Sequence, residues 1–304
     1  MPRNDKFLFF FRLNLMHFSD RLAATIKQKN SCLMLGLDPN WDRIPDHLKT
    51  GDSNQEKADT FERFCCDMTD ACAEFICGVK PQLGYFEALG SVGIKALENV
   101  LAHVRTQHPD LIILLDAKRG DIGSTSEAYA QAFLGEDSPL AGDCVTVAPY
   151  MGIDSVKPFD SLAIKYDKGV FILAKTSNES SFQVQDARLE DGETVAERWC
   201  TVMEFVSQGR KNPNRRYSHL GAVVGATHAA ELPKFREILK SCWMLCPGVG
   251  AQGGKLEDVL KIRDEDGLGV IIPVSRSVLY ASGGKDYLEA AAAAMKELWE
   301  GQKI

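Results

Sequence analysis

The chain has 304 residues, 45% of them hydrophobic, a formal net charge of −7 and nine cysteines. That length suits one large domain or two small ones and is ample for a sizeable core. The negative balance, with no basic run, argues against a nucleic-acid binder, and no stretch approaches the roughly 20 apolar residues of a membrane span. The cysteines lack a paired zinc-ribbon spacing, and several sit in apolar runs, where a reduced thiol behaves as a small hydrophobe. A reducing, cytoplasmic compartment and no metal centre are therefore expected. Near the start, KFLFFFR has an apolar core of five residues, shorter than a secretory signal requires. Residues 1–16 read as an appendage and residues 17–304 as the domain.

In chain order, residues 19–29 have helical spacing through Leu22, Ala23 and Ile26, with Ser19 as a cap. A short apolar strand at 32–37 ends in Asp38-Pro39. Residues 46–78 hold a long helical region with Phe61, Phe64, Cys65, Met68 and Ala71 on one stripe. A strand at 76–79 ends in Lys80-Pro81-Gln82, and a helix follows at 93–105. The run Leu111-Ile112-Ile113-Leu114-Leu115 reads as a strand buried on both faces. Just past it come Asp116 and Lys118, which point the same way because strand side chains alternate. Gly120 lets the chain turn, so that Asp121 swings back toward the same spot or toward a partner chain. Ser124 and Glu127 have capping-box spacing for the next helix.

The second half repeats the pattern. A strand at 144–147 ends near Pro149-Tyr150-Met151-Gly152, with a helix at 153–165. A strand at 169–174 ends in Lys175-Thr176-Ser177-Asn178, and residues 179–192 form the longest loop before a helix at 193–209. A strand at 220–224 precedes a helix at 229–239. A strand at 242–245 runs into the glycine-rich 247–254, then a short helix at 256–262. The last strand, 269–274, ends in Ser275-Arg276-Ser277, and an alanine-rich helix closes the chain at 286–299. Eight buried strands, each followed by a helix, predict a parallel sheet closed as a single-domain (β/α)8 TIM barrel. The open doubly wound alternative lacks a GxGxxG after its first strand.

In such a barrel the site lies at the C-terminal ends of the strands, where Asp38, Lys80, Asp116, Lys118, Ser177, Gln252 and Arg276 all fall. The loop from Gly248 to Gly254 offers backbone N–H groups to an anion, and Arg276 offers a bidentate grip. Their position after strands seven and eight is where such barrels bind phosphate. Other polar residues read as ordinary: His103 and His108 as solvated residues at a helix end, His228 as a rim residue, Tyr150 and Trp243 as core or interface.

The motif Asp116-Ala-Lys118-Arg-Gly-Asp121-Ile122 fits the D-x-K-x-x-D-I signature of the orotidine 5'-phosphate decarboxylase family. Gly36-Leu-Asp38-Pro39, Val79-Lys80-Pro-Gln82, Thr176-Ser177-Asn178, the stretch from Pro247 through Gln252 to Gly253, and Ser275-Arg276 match in the same order. The chain resembles the longer bacterial branch of that family. The resemblance implies decarboxylation of orotidine 5'-monophosphate (OMP) to UMP in pyrimidine synthesis, without cofactor or metal. It implies a homodimer with shared sites. Lys80, Asp116, Lys118 and the other subunit's copy of Asp121 would surround the substrate carboxylate, with Lys118 as proton donor to C6. Asp38 would hold ribose hydroxyls, Thr125 would reach the nucleotide across the dimer, Ser177 would meet the pyrimidine, Gln252 and Arg276 would meet the phosphate, and Pro247 would be a further substrate-binding residue.

Three rivals have their own signatures. A sister barrel acting on a sugar phosphate shares D-x-K-x-x-D but needs magnesium. A Schiff-base aldolase would use Lys118 or Lys175 as nucleophile. A non-catalytic phosphate-binding barrel would keep Arg276 and the glycine loop but has no need of the Asp-Lys-Asp set.

Overall fold

Eight parallel strands close into a barrel in sequence order, β8 pairing back onto β1, in the computed structural model of the chain. The structure describes residues 16–210 and 215–302. The expected appendage, residues 1–16, lies outside the described residues except for Met16. The strands are β1 (Leu33–Leu37), β2 (Gly78–Pro81), β3 (Ile112–Arg119), β4 (Cys144–Val147), β5 (Gly169–Lys175), β6 (Leu220–Val224), β7 (Trp243–Leu245) and β8 (Val270–Val274). A leading helix α1 (Phe18–Lys29) precedes them. Each strand is then followed by a helix: α2 (Asn54–Cys72), α3 (Ser91–Gln107), α4 (Gly123–Leu134), α5 (Ile153–Lys165), α6 (Val195–Arg210), α7 (Leu232–Ile238), α8 (Leu256–Leu260) and α9 (Tyr287–Gly301). Short helical turns in the loops carry no label.

The strands are short, apolar and covered on both faces, as parallel strands must be. Every residue of β1, β6, β7 and β8 is buried. Helix α1 lies across the opposite end from the strand C-termini. Ser19 Oγ donates to the Tyr217 carbonyl before β6, Arg21 pairs with Asp143 before β4, and Thr25 Oγ1 donates to the Asp110 carbonyl before β3. Phe18 meets Phe171 of β5 edge-on at 6.4 Å. The barrel is thus plugged at one end and open for chemistry at the other.

Several local expectations are corrected. The long region at 46–78 divides into a 3-10 turn, Asp46–Leu48, and α2, which starts only at Asn54. There Ser53 and Glu56 form a reciprocal capping box. The box expected at Ser124 and Glu127 does not form, because α4 begins at Gly123 with Ile122 at the cap. The long loop after β5 contains a short helix, Phe182–Gln185. Strand β3 continues to Arg119, four residues past its apolar run.

Candidate active site

That longer strand matters because its last residues are irregular. The β3–β4 register shifts between Leu115 and Arg119, and Lys118 takes a left-handed φ of 45°. Non-glycine residues pay for that conformation, and such bulges re-aim side chains at functional sites. Here the backbone N–H of Lys118 donates to Thr146 Oγ1 at 2.9 Å, and Lys118 Nζ returns to Asp116 Oδ1 at 2.5 Å. The shared direction of Asp116 and Lys118 therefore comes from a bulge rather than from plain strand alternation.

Asp116 is the hub. It is 7% exposed and accepts from Lys80 Nζ at 2.7 Å, Gln82 Nε2 at 3.0 Å and Thr146 Oγ1 at 3.0 Å, besides Lys118. Burial alone would raise its carboxyl; the two ammonium groups and their hydrogen bonds outweigh this and hold it well below the usual carboxylate range. Burial likewise disfavours the charged form of Lys80, but Asp116 and then Asp38 more than offset it, so its ammonium is raised above the ordinary lysine value. Asp38 Oδ1 lies 3.9 Å from Lys80 Nζ. It is a buried oxygen with no hydrogen-bond partner, as is Ser275 Oγ close by. Buried polar atoms are seldom left so, and at a cleft wall they fit hydroxyl-bearing ligands. The Asp38 backbone is itself held by Tyr280, whose hydroxyl donates to the Asp38 carbonyl at 2.7 Å.

These groups line one cleft of about 200 Å³ at the C-terminal mouth of the barrel. Asp38, Lys80, Asp116 and Lys118 line it as a charged cluster; Leu173, Val223, Leu245 and Pro273 give it apolar walls. Pro247, Gly248, Gln252, Ser275 and Arg276 complete its lining, with Thr176 and Ser177. Two glycines let these walls meet. A Cβ on Gly36 would stand 2.8 Å from Ser275 Cβ. Gly248 has φ +105° and carries the chain close past Ser177. Arg276 is exposed and makes no side-chain hydrogen bond or ion pair to the described residues, leaving its guanidinium free for an anion.

Eight of the ten residues singled out in the sequence thus meet in one cleft. Asp121 and Thr125 do not. Asp121 accepts from the Ile122 N–H at 2.7 Å, and Thr125 is exposed on α4.

The family model described as "Orotidine 5'-phosphate decarboxylase / HUMPS family" matches residues 31–293. The chain belongs to this family. Among curated members, the orotidine 5'-phosphate decarboxylase of Dechloromonas aromatica (strain RCB) is 42% identical over 280 residues, covering 91% of this chain and 94% of that protein. That of Herpetosiphon aurantiacus is 40% identical over 274 residues, covering 90% and 93%. The solved structure of Leishmania donovani OMP decarboxylase is 32% identical, with a TM-score of 0.72, and covers 93% of this chain and 97% of that one.

Two cleft residues of this OMP decarboxylase family member were given no role by sequence reasoning. Gln82 was visible only as part of a motif, and Thr146 only as a lone hydroxyl in an apolar strand. Both owe their place to register: Thr146, on the strand beside β3, reaches both Asp116 and the bulged Lys118 N–H. Lys175 is 1% exposed and does not line the cleft. Its ammonium pairs with Asp186 and lies 4.0 Å from Glu231, which leaves it poorly placed as a Schiff-base nucleophile. His228 Nε2 donates to the Thr176 carbonyl, 2.9 Å away. Together with Gln185, which bonds both the Thr176 N–H and its hydroxyl, these residues anchor the loop that carries Ser177.

Proposed function

We infer that this chain removes CO2 from orotidine 5'-monophosphate to give UMP, a lyase step of pyrimidine synthesis. The observation that carries the reading is the Lys118 ammonium. It is seated against a buried carboxylate in a cleft that a free guanidinium and a glycine-rich loop also line. The curated relatives named above bear the same activity in their names, and they disfavour the magnesium-dependent sugar-phosphate alternative.

The chemistry follows from charge placement. The C6–carboxylate bond breaks, CO2 leaves, and the electron pair stays in an sp2 orbital at C6 that the ring delocalises poorly. A fixed cation aimed at that carbon stabilises the developing charge without reorganisation. Lys118 supplies the cation, then gives its proton to C6 and is reprotonated by solvent. The negative charge of Asp116 disfavours a neighbouring substrate carboxylate more than the carbanion that replaces it. Asp38 and Lys80 take the ribose hydroxyls, Ser177 the pyrimidine, and Pro247, Gln252 and Arg276 the phosphate end. Turnover in D2O is expected to give UMP with one deuterium at C6. UMP without it would contradict proton delivery from an exchangeable lysine.

Phosphate contacts lie far from the reacting carbon and supply binding energy that orients the ring. Arg276→Ala is therefore expected to raise KM for OMP by about 10²-fold, in line with loss of a charge-assisted pair, with a smaller fall in kcat. Steady-state kinetics check this; an unchanged KM would remove Arg276 from the phosphate site. Lys175→Met should leave stability within about 1 kcal/mol, because its carboxylate partners are solvent-reachable. It should loosen residues 176–186 and raise KM by about tenfold, read by kinetics and by amide exchange in that loop.

The active form is proposed to be a homodimer in the cytoplasm. Ile122, between Asp121 and Thr125, and Tyr150, Met151 and Ile153, at the start of α5, which packs against α4, are exposed apolar side chains, an arrangement that suits a partner surface. All nine cysteines are free thiols, which suits a reducing compartment. Among the described residues no helix is long and apolar enough to cross a membrane. With Asp121 contributed by the partner subunit, mixing Lys118→Ala and Asp121→Ala subunits rebuilds one intact site in each mixed dimer. Random exchange should restore about a quarter of wild-type activity. No recovery, with mixed dimers demonstrated, would mean that each chain completes its own site.

A further inference from the structure

The end of the barrel opposite the cleft carries a convergence that the decarboxylation does not use. Asp70 lies in the last turn of α2, His103 lies near the end of α3, and His108 caps that helix. Both helices finish here, where the chain enters β2 and β3. His103 Nε2 is 2.7 Å and His108 Nε2 is 2.6 Å from the same oxygen, Asp70 Oδ1. The three ligand atoms lie within 4.8 Å of one another. The two imidazoles are not the freely solvated residues the sequence suggests: their side chains are only 26% and 20% exposed, while that of Asp70 is 49% exposed.

We propose that Asp70, His103 and His108 bind a divalent transition-metal ion of the zinc class, which ties the end of α2 to the connection between α3 and β3. Two imidazole nitrogens and a carboxylate oxygen are a common zinc donor set, with water completing the tetrahedron. Metal–ligand bonds of about 2.0–2.2 Å put ligand atoms about 3.3 Å apart around a tetrahedral ion. The present separations of 2.6 and 2.7 Å need the carboxylate to retreat by roughly half an ångström. The half-exposed Asp70 side chain is free to make that movement, and the more buried rings need move less. Because the rings already converge, little side-chain freedom remains to be lost on binding. The nitrogen donors select zinc, cobalt, nickel or copper over magnesium and calcium, which prefer oxygen. Cys66, one turn before Asp70, is not among the converging atoms.

An ion here would stabilise the fold by mass action and leave the cleft untouched. The test uses the full-length protein stripped with EDTA and dialysed. Zinc titration by competition with a chromophoric chelator should give one tight equivalent per chain, and the melting temperature should rise with zinc. Bound cobalt should show tetrahedral d–d bands without a thiolate charge-transfer band. His103→Asn and Asp70→Asn, made separately, should each weaken zinc binding by at least tenfold while OMP turnover stays unchanged, which also certifies the fold. Four results would overturn the site: no saturable zinc binding, unchanged affinity in both variants, a thiolate band from cobalt, or tighter binding of magnesium than zinc. OMP turnover is scored independently, so failure of the metal site and failure of the decarboxylase reading are distinguishable.

Discussion

Replacing Lys118 by alanine is expected to lower kcat/KM for OMP by about 10⁴-fold or more, while UMP affinity stays within about tenfold. Two losses combine. A preorganised charge at the reacting centre is worth roughly 10²–10³ in rate, and a positioned proton donor roughly 10²–10⁴. Binding survives because the substitution leaves in place Arg276 and the Gly248 loop, which would hold the phosphate. The fold survives because Asp116 keeps Lys80, Gln82 and Thr146 as donors. The strained φ at residue 118 is tolerated no better by alanine, so the substitution relieves no backbone strain. Single-turnover kinetics with product titration make the measurement. A variant within tenfold of wild type in turnover would dismiss Lys118 as the proton donor.

Asp116→Asn should cost both stability and activity. Asparagine keeps the shape but removes the charge on which two ammonium groups rest. Lys80 is then buried with only Asp38, 3.9 Å away, to compensate it. Breaking a buried pair by removing one partner costs about 3–5 kcal/mol, and kcat should fall by at least about 10²-fold, in line with loss of one preorganised electrostatic contact. The sign with pH follows from the shifts. The Asp116 carboxyl is depressed, so its contribution is complete above its unfolded value near 4 and is lost as pH falls toward the lower folded value. The Lys80 ammonium is raised, so its contribution is complete below about 10.4 and is lost as pH climbs through the folded value. Urea unfolding should therefore show a wild-type advantage that is flat between about pH 5 and 10 and shrinks below about pH 4. An advantage that titrates near neutrality would mean that some other pair carries the energy.

The barrel was legible because each strand is a short apolar run with its own helix. Residues 144–147 and 220–224 were bounded as strands, and 153–165 as a helix, as the structure has them. Strand β3 was cut short because apolar content reports burial, whereas Asp116 and Arg119 stay in the sheet through backbone pairing with Gln82 and Val147. The cleft residues were legible once eight strands were counted, because chemistry in this fold collects at strand C-termini. Thr146 and Gln82 were not, because their value is a matter of which atoms lie opposite Asp116 across the sheet. The tie between Lys175 and Asp186 was hidden by the loop between them. The convergence of His103 and His108 on Asp70, 33 and 38 residues away, exists only once α2 and α3 have docked.

The most direct test of the central claim follows pyrimidine absorbance as the purified chain meets OMP in excess EDTA. The account predicts loss of the substrate band with stoichiometric UMP, at the same rate with and without chelator. An unchanged OMP spectrum, with turnover of a sugar phosphate once magnesium is added, would contradict it.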